Sequence, residues 1–150
     1  MDLGIKDRVA VVAAASKGLG KAVAMGLAKE GVKLSICSRG KAALNATAEE
    51  IRRESGVDVL STAADVSKPA DVERLVEETI KRFGRIDILV NNAGGPPSTT
   101  FAESSPEDFL NALELNLMSA VRLSKAVVPY MQQQKWGRIV NIVSLSAKQP

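Results

Sequence analysis

The chain has 150 residues, of which 45% are hydrophobic and 25% charged, enough for one ordinary core and too few for two domains. It contains no histidine, which excludes Ser-His-Asp hydrolysis, Cys-His proteolysis and every His-containing zinc site, so no metal centre is expected. The net charge of +3 is mild, aromatics are only 3%, and basic residues are scattered among acidic ones, the pattern of a solvated surface rather than a nucleic-acid face.

No apolar run approaches the length of a membrane span, and the start Met1-Asp2-Leu3-Gly4-Ile5-Lys6-Asp7 lacks the basic-then-apolar order of a signal peptide. The single Cys37 cannot form an internal disulfide, and within its apolar segment it reads as a small buried hydrophobe. These features together lead us to expect a cytoplasmic protein with no membrane partner.

Short runs rich in Val, Ile or Leu alternate with segments of helical period, as in parallel strands covered on both faces. The first strand, 9–15, runs into Ala14-Ala15-Ser16-Lys17-Gly18-Leu19-Gly20. A strand that stops at a glycine-rich turn and restarts as a helix aims backbone N–H groups and a positive dipole end at one spot, which suits a pyrophosphate. Gly31 ends this helix. The second strand, 33–38, closes on Cys37-Ser38-Arg39 without the acid that usually holds a ribose 2′-OH. Arg39 and Lys17 could instead converge on a 2′-phosphate, which favours NADP(H) over NAD(H); the competing reading leaves both side chains merely solvated.

A second helix ends at Gly56, and the third strand, 58–63, is followed by Asp65 and Val66. Asp65 suits either an adenosine contact or a cap on its own turn. In the next helix Val72, Leu75, Val76, Thr79, Ile80 and Phe83 form one stripe. Ser67 is the expected cap, Pro69 suits the first turn, and Gly84 closes it. The fourth strand, 86–91, ends in Asn91-Asn92-Ala93-Gly94, and the loop 94–100 is the segment most suited to movement. Ser105-Pro106-Glu107-Asp108 opens a helix expected to reach about Gln134, with Pro129 kinking or shortening its end. Asn116, in mid-helix, either loosens the helix and frees a carbonyl or is an exposed surface residue. The fifth strand, 138–143, delivers Ser144, whose hydroxyl either faces the crevice or, like that of Ser146, caps the following turn.

Five strands joined by helical crossovers specify an α/β fold, a doubly wound parallel (Rossmann) sheet of order 3-2-1-4-5 in one dinucleotide-binding domain. Ligands in such sheets bind beyond the carboxyl ends of the strands, where both glycine turns and Ser144 fall.

The chain resembles the short-chain dehydrogenase/reductase family, 3-oxoacyl-carrier-protein reductases in particular, over its whole length. The family's Thr-Gly-x-x-x-Gly-x-Gly aligns with Ala13, Ala14, Gly18 and Gly20, and its Asn-Asn-Ala-Gly is intact at 91–94. The resemblance implies hydride transfer between a nicotinamide and a small carbonyl or alcohol substrate. It implies cofactor contacts at Ser16, Lys17, Gly18, Leu19, Gly20, Ser38, Arg39, Asp65, Val66, Asn92, Ala93 and Gly94. Ser144 would hold the substrate oxygen, and the carbonyl of Asn116 a water in the proton relay. A homo-dimer or homo-tetramer is the usual family form.

Two departures stand out. Ala14 replaces a glycine, so the turn must avoid positive φ there or accept strain on the order of 1 kcal/mol. The family's Tyr-x-x-x-Lys is missing: the only tyrosine is Tyr130, with Gln134 four residues on. The favoured expectation is therefore the amino-terminal part of a longer reductase, by itself inactive, with an exposed apolar sheet edge. The alternative is a non-catalytic NADP(H)-binding or partner-binding module.

Overall fold

The computed structural model describes residues 3–95 and 99–145. Residues 96–98 of the loop read as mobile, together with Ser146, lie outside the described residues. The elements alternate as β1 (Val9–Val12), α1 (Gly18–Lys29), β2 (Lys33–Ser38), α2 (Lys41–Ser55), β3 (Val59–Ala63), α3 (Pro69–Phe83), β4 (Ile88–Asn91), α4 (Pro106–Leu113), α5 (Ser119–Gln133) and β5 (Arg138–Asn141). A π-helical turn, Glu114–Met118, joins α4 to α5. The five strands are parallel in the order β3-β2-β1-β4-β5, the order read from the sequence.

Side chains alternate across the sheet, so β1, β2 and β4 each feed two cores. Ala10, Val12, Leu34, Ile36, Ile88 and Val90 pack toward Ala24 and Ala28 of α1 and toward Leu44 and Ile51 of α2. Val11, Ala13, Cys37 and Leu89 pack toward Val72 and Leu75 of α3 and Leu123 and Val127 of α5. Burial holds the Cys37 thiol up at about 12, so at neutral pH it is an inert apolar filler.

The amino ends of the strands are tied by Asp87, whose side chain is fully buried. Its carboxylate accepts Val9 N–H at 2.9 Å, Arg8 at 3.1 Å, and Arg85 at 2.6 and 2.8 Å. A buried carboxylate is tolerable only with its oxygens occupied in this way. The Arg8 guanidinium also lies 4.0 Å from the ring centroid of Trp136, a cation–π contact that steadies the approach to β5.

Several boundaries differ from the sequence reading. β1 stops at Val12 because Ala14 takes φ 51° and leaves extended geometry. The amides beyond it still pair, Ala13 N–H with Val90 O and Ala15 N–H with Cys37 O. β3, β4 and β5 are likewise shorter than expected, by one or two residues at an end. Ser67 does not cap α3. Lys68 is the N-cap residue, and Ser67 turns back to donate its N–H and Oγ–H to Asp65 Oδ1 at 3.0 and 2.7 Å. Gly56 and Gly84 close α2 and α3 in the left-handed region, at φ 72° and 73°.

The single helix expected over 105–134 is interrupted by the π-helical turn, with Asn116 at its centre. Pro129 lies inside α5, which continues past it to Gln133. The start was legible: Ser105 and Asp108 form a reciprocal capping box ahead of Pro106.

Candidate active site at the strand tips

The glycine turn is held from three sides. Asn92, just past β4, donates its Nδ2–H to Ala13 O at 3.2 Å and Ala14 O at 3.4 Å. Thr47 of α2 donates its hydroxyl to Ser16 O at 3.0 Å. Gly20 is packed so closely that a Cβ there would stand 2.3 Å from Ala14 O and 2.8 Å from Asn92 Nδ2. The Asn92 side chain is therefore used to hold the turn.

The start of α1 fits an anion. Lys17, its N-cap, makes no side-chain cap bond, and no acidic residue stands in the first turn, whereas α3 and α4 carry acids there. Gly18, at φ +57°, would meet nothing within 4 Å if it bore a Cβ, and Lys17, Gly18 and Leu19 are exposed. Uncapped N–H groups, an open glycine surface and a neighbouring cation form a cradle that suits the pyrophosphate of a dinucleotide.

The tips of β2 and β3 lie beside this cradle. Ser38 is half-buried and donates weakly to Gly40 O at 3.4 Å, while Arg39 is exposed. The Ser67 hydroxyl bond, more than any other influence, holds the Asp65 carboxyl below the usual carboxylate range, and the charges of Arg39 and Lys68 act in the same direction. Arg39 and Asp65 thus share one corner of the crevice. Val66 is 7% exposed and its side chain belongs to the core, so only its backbone is available at the surface.

Beyond β4 and β5 opens a cavity of about 1000 Å³ whose lining includes Leu19, Asn92, Ala93, Asn116, Lys125 and Ser144. It brings the glycine turn, the tip of β4, the π-helical turn and the residue after β5 to one space. Ser16, Lys17, Gly18, Gly20, Ser38, Arg39, Asp65, Val66 and Gly94 do not line it; they sit around the tips of β1 to β4.

Asn116 is exposed and donates Nδ2–H to Ala112 O at 2.9 Å. In a regular α-helix that carbonyl would accept Asn116's own N–H. The π-helical turn instead closes with Ser119 N–H on Glu114 O, five residues back. The hydroxyl of Ser119 donates to Leu115 O and lies 3.5 Å from Asn116 O.

Sequence reasoning missed the floor of the cavity. Asn91 and Asn141 face each other across β4 and β5, and Asn91 donates Nδ2–H to Asn141 Oδ1 at 2.8 Å and to Ser124 Oγ at 3.3 Å. Asn91 Oδ1 is buried without a hydrogen-bond partner. The available signal was Asn141 itself, a polar residue inside the apolar segment 138–143. Among the described residues no group of His, Cys, Asp and Glu could hold a metal ion, and no helix is long and apolar enough to cross a membrane.

Comparison with known proteins bears on this geometry. Residues 8–150 match the family model described as short chain dehydrogenase. A 3-oxoacyl-(acyl-carrier-protein) reductase of Synechocystis sp. is 37% identical over 140 residues, covering 93% of this chain and 56% of its own length. L-Sorbose reductase from Gluconobacter frateurii, solved with NADPH and L-sorbose, superposes with a TM-score of 0.96 at 40% identity, covering 100% of this chain and 57% of that one. A variant of actinorhodin polyketide ketoreductase, solved with NADPH, gives a TM-score of 0.89 at 39% identity, covering 95% of this chain and 55% of that one. The chain spans about half the length of the curated relatives it matches.

Proposed function

Because the chain belongs to the short-chain dehydrogenase family, we propose that it forms the nucleotide-binding portion of an NADP(H)-dependent reductase acting on a carbonyl or alcohol substrate. The observation that carries this reading is the cavity in which Leu19, Asn92, Asn116 and Ser144, from four separate segments, meet beyond the carboxyl ends of the strands. The NADPH found with the sorbose reductase and the ketoreductase supports the cofactor, and the Synechocystis enzyme supports a 3-oxoacyl-type substrate.

When bound, the cofactor supplies or accepts the hydride. The uncapped start of α1, with Ser16, Lys17, Gly18 and Leu19, would hold the pyrophosphate. Arg39, Lys17 and Ser38 would hold the 2′-phosphate, and Asp65, the backbone of Val66, Ala93 and Gly94 would hold the adenosine and ribose. Ser144 donates a hydrogen bond to the substrate oxygen, steadying the negative charge that grows on it. Asn116, through its π-helical carbonyl, holds a water for proton delivery. The complete protein acts in the cytoplasm as a homo-dimer or homo-tetramer, with the exposed Phe109, Leu110 and Leu113 of α4 supplying contact area.

Tyr130 packs against the core beneath α5, and Gln134, four residues on, donates to Ile86 O at 2.6 Å, away from the cavity, so neither is placed to serve Ser144.

The cofactor assignment is tested by Arg39→Asp, measured by nucleotide fluorescence. NADPH affinity should fall by roughly tenfold or more, the worth of one charge-assisted bond, while NADH affinity rises. Unchanged affinities for both would remove Arg39 from the site.

A further inference from the structure

Arg122, on α5, lies outside the cavity lining, yet its guanidinium joins two parts of the site. One nitrogen donates to Ser67 O at 3.1 Å, and the other pairs with Glu114 at 2.5 Å. Glu114 is the first residue of the π-helical turn, so the ion pair ties the start of that turn to α5 beyond its end. Ser67 belongs to the tight turn after β3, where its N–H and hydroxyl hold Asp65. A continuous bonded path therefore runs from Asp65 through Ser67 and Arg122 to Glu114, ahead of Asn116.

The geometry needs an arginine. Its planar fork presents separate N–H groups to two acceptors lying in different directions, which a lysine ammonium cannot do with both held in place. The side chain is 24% exposed, so water competes only in part for either bond. A π-helical turn needs such a fastening, because the insertion of one residue makes it less regular than the α-helix on either side.

We propose that Arg122 is a positioning residue that fastens the π-helical turn bearing Asn116 to the turn bearing Asp65. A nucleotide seated at the adenosine end then steadies the distant catalytic turn. The inference rests on the nucleotide-binding function proposed above and adds a mechanical connection between the two ends of that site.

Adenosine 2′,5′-bisphosphate is the probe, because it lacks the nicotinamide half and cannot itself touch Asn116. Binding is measured by calorimetry and amide hydrogen exchange is followed on this chain, with Arg122→Gln and Arg122→Lys as variants. In the native chain the probe should slow exchange at residues 65–68 and also, by roughly fivefold or more, at 114–119. Both variants should keep the first protection and lose the second; a merely structural arginine would lower stability without uncoupling the two. Arg122→Lys retains the charge, so it guards against a fold lost in the glutamine variant. Remote protection that survives in both variants overturns the proposal, as does its absence from the native chain when 65–68 are protected. If the probe fails to bind at all, the nucleotide-binding function falls first and the proposal with it.

Discussion

At the scale of single residues, the glycine turn is the most tightly determined part of the molecule. Ala14 holds φ 51°, a conformation that costs an L-residue about 1–2 kcal/mol. It persists because Asn92, Gly20 and Cys37 surround the turn with hydrogen bonds and backbone contact. Ala14→Gly should raise stability by about 0.5 kcal/mol, the strain relieved less the added freedom of the unfolded chain. Gly20→Ala should lower it by about 2 kcal/mol or more, because the new methyl would meet a backbone carbonyl that cannot move aside. Urea midpoints of the two variants check both signs, and a neutral Gly20→Ala would show that the turn is looser than its packing implies. That Ala14 departs from a glycine pattern was legible in the sequence, but which of the two outcomes it takes was not. Contacts from far along the chain decide it, among them the amide of Asn92 just past β4, nearly eighty residues away.

At the scale of elements, local chemistry was read well and tertiary demands were not. The Ser105–Asp108 capping box and the left-handed closures at Gly56 and Gly84 depend on neighbours in sequence, and the chain announces them. The π-helical turn carries a single sequence signal, Asn116, which could loosen a helix, because Glu114, Leu115, Leu117 and Met118 would suit an ordinary one. Ser67 illustrates the reverse error: it has the side chain of a cap, but Asp65 claims both of its donors. The box itself has a measurable role, because α4 has no buried residue to hold it from the side. Ser105→Ala should therefore cost about 1 kcal/mol, concentrated in α4. Amide exchange at residues 106–113 should quicken while exchange in β1 and β4 stays unchanged; an even acceleration across the sheet would mean that α4 is coupled to the core after all.

At the scale of the whole chain, strand order alone places the crevice beyond the carboxyl ends of the strands. Strand order and the place of the crevice follow from the alternation of apolar runs with helices, and the sheet realises that order strand for strand. The exposed apolar edge expected from the sequence is also present. All four residues of β5 are exposed, and Val140, facing Val90 in register, is 49% exposed. β5 pairs only with β4 among the described strands, so its outer N–H and C=O groups form a template on which another strand can pair. The helical layer adds a separate apolar surface at Leu110 and Leu113, which are 66% and 53% exposed. These surfaces should behave differently, because an edge recruits backbone without regard to shape, whereas a helix face needs a complementary partner. Val140→Lys should slow heat-induced light scattering of this chain several-fold, and Leu113→Glu should leave that rate unchanged while shifting reversible association in sedimentation toward monomer. Equal scattering from the native chain and Val140→Lys would show that aggregation does not begin at the sheet edge, and would return attention to the face of α4.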